Sequence, residues 1–247
     1  MKSLSIILPL WNESQALPRL FSKIQKFKDK TLLKLEIIFI NDGSTDETKQ
    51  LIYKFKDNFN GKCKIISYNS NRGKGYALRK GVLLSSSDWV LTTDADLSVS
   101  LTEILKWSKK KLKPTEIYFA SRLLKTSNTQ AKTSRKIIGY IFRVIVKILF
   151  FKHGSISRIK DTQCGFKLFN QKYVNFLFLQ SVEKGFLQDL EIILLADAYK
   201  IHVVEMPVKW IYGKKSSINL FFDPLIMLFG LFRLRFRFYN YPSSILK

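Results

Sequence analysis

The first hundred residues alternate between short, continuous apolar runs and stretches whose apolar positions recur every three or four residues. The runs cover residues 3–8, 35–40, 63–68 and 88–93. Between them, Leu17, Leu20, Phe21, Ile24 and Phe27 mark one face of a helix over 16–28. Ser44-Thr45-Asp46-Glu47 opens a second helix, with acceptors where free backbone N–H groups need them, and 74–84 reads as a third. Strands that are apolar throughout and alternate with helices predict an α/β fold, a mostly parallel sheet covered on both faces. Glu116–Ser121 adds a strand, and the alternation resumes with a strand over 165–169, a helix over 187–199 and an extended stretch over 201–210. With no repeat or Pro/Gly-rich linker, the expected organisation is one domain over 1–217 and an apolar, basic tail over 218–247.

Charge changes this picture. The 247 residues carry a formal net charge of +23, and residues 101–160 alone contribute +13. A chain that is 46% hydrophobic and 14% aromatic is no disordered basic tail, so the charge belongs to a folded protein with an anionic partner. That partner is nucleic acid, a phosphate-bearing substrate or a membrane surface. A basic insertion is expected over 122–160. Two cysteines, Cys63 and Cys164, exclude a disulfide framework and a four-cysteine zinc site. No secretory leader is evident, and no uncharged apolar run reaches the ~18 residues of a membrane span.

Open parallel sheets bind ligands beyond the carboxyl ends of their strands. Those ends read Pro9-Leu10-Trp11-Asn12-Glu13, Asn41-Asp42-Gly43-Ser44, 69–75 and Asp94-Ala95-Asp96. Acids placed just past buried runs are costly unless solvated or paired, which marks a site. Asp94 and Asp96 suit a hard cation such as Mg²⁺ or Mn²⁺; alternatively, one of them caps a following helix at 98–100. Asn71-Arg72-Gly73-Lys74-Gly75 is glycine-rich and cationic but matches neither a Walker A nor a dinucleotide pattern, and alone reads as an ordinary strand-to-helix turn. His153 and His202 lack metal-ligand spacing.

Taken in order, Pro9-x-Trp11-Asn12-Glu13, Asn41-Asp42-Gly43-Ser44-x-Asp46 and Asp94-Ala95-Asp96 resemble the family 2 glycosyltransferases, which have the GT-A fold. Asn71 to Gly75, Ser121-Arg122, Asp161-Thr162-Gln163-Cys164-Gly165-Phe166-Lys167 and Asp189-x-Glu191 are similar to the polyprenyl-phosphate sugar synthases within that family. The resemblance implies a metal-dependent enzyme that moves a hexose from a nucleotide-sugar donor to a polyprenyl (dolichyl or undecaprenyl) phosphate. UDP-glucose is favoured over GDP-mannose. The alternative is a family 2 enzyme acting on a glycan or lipid-sugar acceptor.

The resemblance also implies roles. Pro9, Trp11, Glu13, Asp42, Gly73, Lys74, Asp94 and Ala95 would bind the nucleotide sugar, and Asp94 and Asp96 would hold Mg²⁺ or Mn²⁺. Ser121, Arg122, Arg135, Lys214 and Ser216 would face the acceptor phosphate. Asp96, Asp161, Gln163, Asp189 and Glu191 would form the catalytic pocket. A phosphate monoester with a second pKa of about 6 is mostly dianionic at neutral pH. A single inverting, in-line displacement therefore needs no strong base, and Asp189 is expected to position rather than deprotonate. A nucleic-acid partner is not expected, because the strand-end acids would repel a phosphate backbone.

A lipid acceptor should leave a mark elsewhere. Residues 137–151 form an apolar helix with Lys136, Tyr140, Arg143 and Lys147 on one stripe, too short to span a bilayer and suited to its surface. A core helix with one wet edge is the alternative. Residues 220–232 are apolar except for Asp223, beside Pro224, and Arg233, Arg235 and Arg237 follow. A broken interfacial segment is expected there. The protein is thus expected on an anionic membrane surface, at the cytoplasmic face, without a span.

Overall fold

The computed structural model describes residues 1–130, 133–211 and 223–239. The expected alternation appears as β1 (Ser3–Leu10), α1 (Leu17–Asp29), β2 (Lys34–Asp42), α2 (Thr48–Asn58), β3 (Lys62–Tyr68), α3 (Lys74–Leu83) and β4 (Trp89–Thr92). Then follow α4 (Glu103–Ser108), β5 (Glu116–Ser121), β6 (Asn128–Gln130), α5 (Thr133–Leu149) and α6 (Gly154–Arg158). The chain continues with β7 (Lys167–Asn170), α7 (Gln171–Gln180), α8 (Gln188–Ala198), β8 (His202–Pro207), β9 (Lys209–Ile211) and α9 (Asp223–Tyr239).

The main sheet has the order β3-β2-β1-β4-β7-β5-β8. All neighbours are parallel except β7, which runs antiparallel to both β4 and β5. From β1 the chain winds outward to β2 and β3, then returns to place β4 on the other side. That reversal opens a crevice at the carboxyl ends of β1 and β4. Because β7 is reversed, its first residue, Lys167, lies opposite Thr92 and Phe119, on the same edge as those carboxyl ends.

Alternate strand residues feed two cores. Ile7, Ile38, Ile40 and Val90 pack with α3, α7 and α8, whereas Ile6, Leu8, Ile37, Phe39 and Leu91 pack with α1, α2 and α4. Near the opposite edge of the sheet, buried Glu36 pairs with Lys62 at 3.0 Å and Lys64 at 2.8 Å.

Two expectations change. The extended stretch over 201–210 is two strands in different sheets, β8 in the main sheet and β9 paired with β6, with Pro207 ending the first. In the tail, α9 runs unbroken, because Pro224 sits in its first turn, where a missing N–H costs nothing. Leu231, Leu234 and Phe238 of α9 enter the first core, as do Val146 of α5 and Phe150 just after it. The opposite faces of these helices stay open: Ile137, Ile141 and Ile148 on α5, and Ile226, Phe229 and Phe236 on α9, are exposed.

Candidate active site

At the end of β1, Asn12 adopts a left-handed φ of +54°. Its backbone N–H donates to Ser44 Oγ at 3.0 Å, and its Oδ1 accepts from Thr45 N at 2.8 Å. Asp46 accepts from Ser14 N at 3.1 Å and from the α2 amide of Thr48 at 3.0 Å. These bonds latch the loops after β1 and β2 together. They leave Trp11 exposed and Pro9 and Glu13 half-buried along the crevice rim.

Asp42 is buried, and its two carboxylate oxygens accept from Arg72 N at 2.9 Å and Gly73 N at 2.8 Å. Gly43 lets the two loops meet, since a Cβ there would lie 2.3 Å from the Ser70 carbonyl carbon. Arg72 is thereby set against the rings of Tyr68 and Tyr76 and donates to the Tyr76 hydroxyl at 2.8 Å.

Gly73, with φ +95°, starts α3. The amides of Gly75 and Tyr76 donate to the Lys184 carbonyl at 2.7 and 3.2 Å, so the glycines serve close packing against the 183–185 turn rather than a phosphate cradle. Between them, Lys74 reaches Asp94 Oδ1 at 2.6 Å.

Lys74 belongs to a cluster of three cations and three carboxylates. Lys167 Nζ meets Asp189 Oδ1 at 2.6 Å and donates to the Cys164 carbonyl at 2.6 Å. Arg122 grips Asp161 through Nε at 2.7 Å and Nη2 at 2.8 Å, and its backbone N–H donates to the same carboxylate at 2.9 Å. Burial pushes the Asp94 carboxyl up, but Lys74, then Lys167 and Arg122, more than offset this and hold it below the usual range. Burial likewise opposes the charge on Lys74, yet Asp94 and Asp189 raise its pKa above an ordinary lysine's. All six groups lie against opposite charge, three cations facing three carboxylates. Cys164 differs: burial drives its thiol up to about 11, which keeps it protonated and unreactive.

Asp96 is half-buried and accepts from the backbone N–H and hydroxyl of Ser98, so it closes a turn there, whereas the helix expected at 98–100 does not form. Asp94 is the open member of the pair, with 48% of its side chain exposed. Beside it, Gly165 leaves room for the carboxylate, since a Cβ there would lie 2.5 Å from Asp94 Oδ2.

Comparison with known proteins places this geometry. Residues 5–186 match the family model described as Glycosyl transferase family 2. The chain belongs to that family. Among its relatives, the dolichyl-phosphate beta-glucosyltransferase of Saccharomyces cerevisiae is 33% identical, over 91% of this chain and 71% of the yeast protein. The Homo sapiens protein of the same name is 29% identical, over 96% of this chain and 76% of the human one. In fold, the chain superimposes with a TM-score of 0.68 on glucosyl-3-phosphoglycerate synthase of Mycobacterium tuberculosis in complex with UDP, at 16% identity and covering 98% of this chain and 82% of that one. The same synthase in complex with Mn²⁺, UDP-glucose and phosphoglyceric acid gives 0.65 at 14% identity, covering 96% of this chain and 78% of that one. The chain is a glycosyltransferase with the α/β architecture of the GT-A enzymes.

Within this family 2 domain the expected site residues divide. Lys74, Asp94, Arg122, Asp161 and Asp189 converge in the charged cluster, and Ala95 and Asp96 adjoin it. Gln163 is half-buried beside it, its backbone N–H donating to Asp161 Oδ1 at 3.3 Å. Pro9, Trp11, Glu13, Asp42 and Gly73 line or shape the crevice loops. Asp42 does so with both oxygens on the 72–73 backbone, so it braces that loop.

Glu191 is not brought to the cluster. Positions two apart on a helix point to different sides, so Asp189 faces Lys167 while Glu191 faces away. Fully buried, Glu191 accepts from the Ser181 hydroxyl, Val182 N, Glu183 N and Arg237. Ser121 is also fully buried and accepts from Leu123 N at 3.4 Å, which leaves it no surface for an acceptor phosphate. Arg135 lies in the first turn of α5, and its side chain, like all of Lys214 and Ser216, lies outside the described residues. Lys167 closes the Asp161–Lys167 motif but was expected in no site role; the structure brings it into the cluster through Asp189.

Proposed function

We propose that the protein transfers glucose from UDP-glucose to a polyprenyl phosphate, with dolichyl phosphate favoured, inverting the anomeric carbon. The observation that carries this is the charged cluster at the sheet's switch point, in a chain that aligns over 91% and 96% of its own length with the yeast and human dolichyl-phosphate beta-glucosyltransferases.

The base would lie along Pro9, Trp11, Glu13 and the 71–73 loop that Asp42 braces. The residues present fit a divalent cation. Asp94 is an ionised hard-oxygen donor with open surface, Asp96 stands two residues away, and Gly165 leaves Asp94 room to turn. Among the described residues no cluster of three or more His, Cys, Asp or Glu is arranged for a metal. A site with two protein carboxylates is typical of Mg²⁺ or Mn²⁺ sites completed by phosphate oxygens and water. Such an ion would supply Lewis-acid stabilisation of the departing diphosphate.

This chain's own groups supply the rest. Lys74 would pass from Asp94 to the donor's diphosphate, a step that needs only side-chain rotation. Arg122, held in a fixed plane by Asp161, presents a guanidinium edge to an acceptor phosphate. Lys167 fixes Asp189, which orients the acceptor rather than removing a proton, since the phosphate attacks as an anion. Arg135, Lys214 and Ser216 would complete the acceptor side.

Among the described residues no helix is long and apolar enough to cross a membrane. The lipid would instead be met by the open apolar faces of α5 and α9, lying in the headgroup region with cations beside them. The anionic cytoplasmic leaflet complements the +23 charge.

The test offers UDP-glucose and GDP-mannose in parallel to the full chain on liposomes containing polyprenyl phosphate, with Mg²⁺ or EDTA and with Asp96→Ala as control. Lipid-linked glucose that requires the metal and Asp96 is expected. Transfer from GDP-mannose alone would replace the donor assignment. Donor hydrolysis without lipid product would move the acceptor to a different class.

A further inference from the structure

Outside the crevice, the strongest concentration of buried charge joins α9 to the turn before α8. Arg233 donates through Nη2 to both oxygens of buried Glu183 at 2.6 Å, and through Nε to Oε1 at 3.1 Å. One helical turn later, Arg237 pairs with fully buried Glu191 and donates to the Gln180 carbonyl at 2.8 Å. Between these clamps Gly230 abuts the turn: a Cβ there would lie 2.4 Å from Leu187 Cδ1. The apolar stripe of Leu231, Leu234 and Phe238 already docks α9 on the core. The two arginines add something different, namely a fixed position for residues 180–191.

That segment is where the site's geometry originates. Glu183 is followed by Lys184, whose carbonyl accepts from Gly75 and Tyr76 at the start of α3. Lys74, at the same helix start, reaches Asp94 at 2.6 Å. On its other side the segment leads into Asp189, which holds Lys167 at 2.6 Å. On the Lys74 side each step is a direct bond or one peptide unit.

We infer that Arg233 and Arg237 are positioning residues for glycosyl transfer: through Glu183 and Glu191 they set the 181–187 turn, and through it Lys74 and Asp189. Because α9 also carries the open apolar face, the helix that would meet the lipid surface is the one that sets the site. This rests on the proposed transferase activity for its kinetic arm only. Removing an arginine should loosen the turn and the α3 start without removing any group that touches substrate.

The experiment compares Arg233→Gln and Arg233→Lys with the unaltered full chain, well below their Tm values. Arg233 is suited to this because its side chain is 69% exposed, so substitution leaves the core intact. Arg237→Gln is the second variant. Amide hydrogen exchange at Gly75 and Tyr76 should quicken about tenfold in Arg233→Gln, a local rather than global opening. Lipid-linked transfer should show kcat lowered about tenfold with KM for the lipid phosphate nearly unchanged, as expected for misplaced rather than missing groups. Arg233→Lys, which keeps the charge, should recover most of both. Unchanged exchange at Gly75 and Tyr76 in both glutamine variants would overturn the inference, whatever kcat does. So would a kcat loss that follows weakened vesicle binding. An inactive parent chain would defeat the transferase assignment alone, while the exchange measurement would still decide this one.

Discussion

Acid–base pairs lie on either side of the 181–187 turn, and Asp94 differs from the rest in what surrounds its carboxylate, since even Asp161 and Asp189 in the crevice are only 3% and 10% exposed. In the crevice, Asp94 pairs with Lys74 but keeps 48% of its side chain exposed. In the clamp, the side chains of Glu183 and Glu191 are 4% and 0% exposed. Burying an ion pair costs desolvation that its own attraction barely repays. A sealed carboxylate therefore cannot trade partners cheaply, whereas a half-open one can exchange a lysine for a metal ion or a phosphate. The same chemistry acts as a fixed joint in one place and as an exchangeable contact in the other.

The sharpest way to break this comparison is to remove one carboxylate from each set. Asp94→Asn should lower kcat/KM by about 10³-fold, roughly 4 kcal/mol of lost transition-state stabilisation. Stability should fall less than in the clamp variant: Lys74, Lys167 and Arg122 favour the charged carboxylate, but Asp189 still faces Lys74 when it is gone. Transfer kinetics alongside urea unfolding reads both quantities. Glu191→Ala should weigh the other way, losing mainly stability and, through the loosened turn, about tenfold in kcat. It leaves Arg237, the Ser181 hydroxyl and two amides without their acceptor, at a cost of about 3 kcal/mol in unfolding free energy. A Glu191→Ala protein as stable as the parent would mean that the clamp is no joint.

The contrast also explains what could be read from the chain beforehand. Everything that depended on local pattern was legible: the strand–helix alternation to β4, the acids past β1, β2 and β4, and the pairing of Asp46 with a helix start. Direction was not, because a run such as Lys167–Asn170 has the same composition whether it is parallel or antiparallel. That reversal is what carries Lys167 to the crevice edge. Nor was the side of α8 on which Glu191 falls, since an Asp-x-Glu spacing looks like a pair until the helix turns its members apart. Pro224 inside an apolar run fits a break or a helix start equally well, and only the packing of Leu231, Leu234 and Phe238 decides between them. The lesson is that motif spacing finds the carboxylates, and burial sorts them into exchangeable and fixed.

Glu36 sharpens the sorting, because it is a fixed pair remote from the site. Burial pushes its carboxyl up, yet Lys64, Ser5, Lys62 and the Ser86 amide together lower its pKa from 4.5 to about 2. The folded value is the depressed one, so its contribution is present above pH 4.5 and lost as pH falls toward 2. Glu36→Gln should cost on the order of 2 kcal/mol at neutral pH and close the gap to the parent across that window. Unfolding titrations at several pH values check this. Transfer per folded molecule should be the same in both proteins.

The smallest effect tests the two faces of one helix. On α9, Leu234 is 1% exposed and Phe236 is 81% exposed, only two positions apart. An exposed phenylalanine contributes little to folding in water, so Phe236→Ser should leave Tm nearly unchanged. If that face lies among lipid headgroups, the ring is partly withdrawn from water there. Partial burial of such a side chain contributes on the order of 1.4 kcal/mol, or about tenfold in partitioning to anionic vesicles. Leu234→Ser should invert the pattern, lowering Tm because it hollows the shared core. If Phe236→Ser bound vesicles as tightly as the parent, the open face would not be the one that meets lipid. The arginines of α9 would then hold a helix whose exposure serves some other contact, and the link from membrane to active site would have to start at α5 instead.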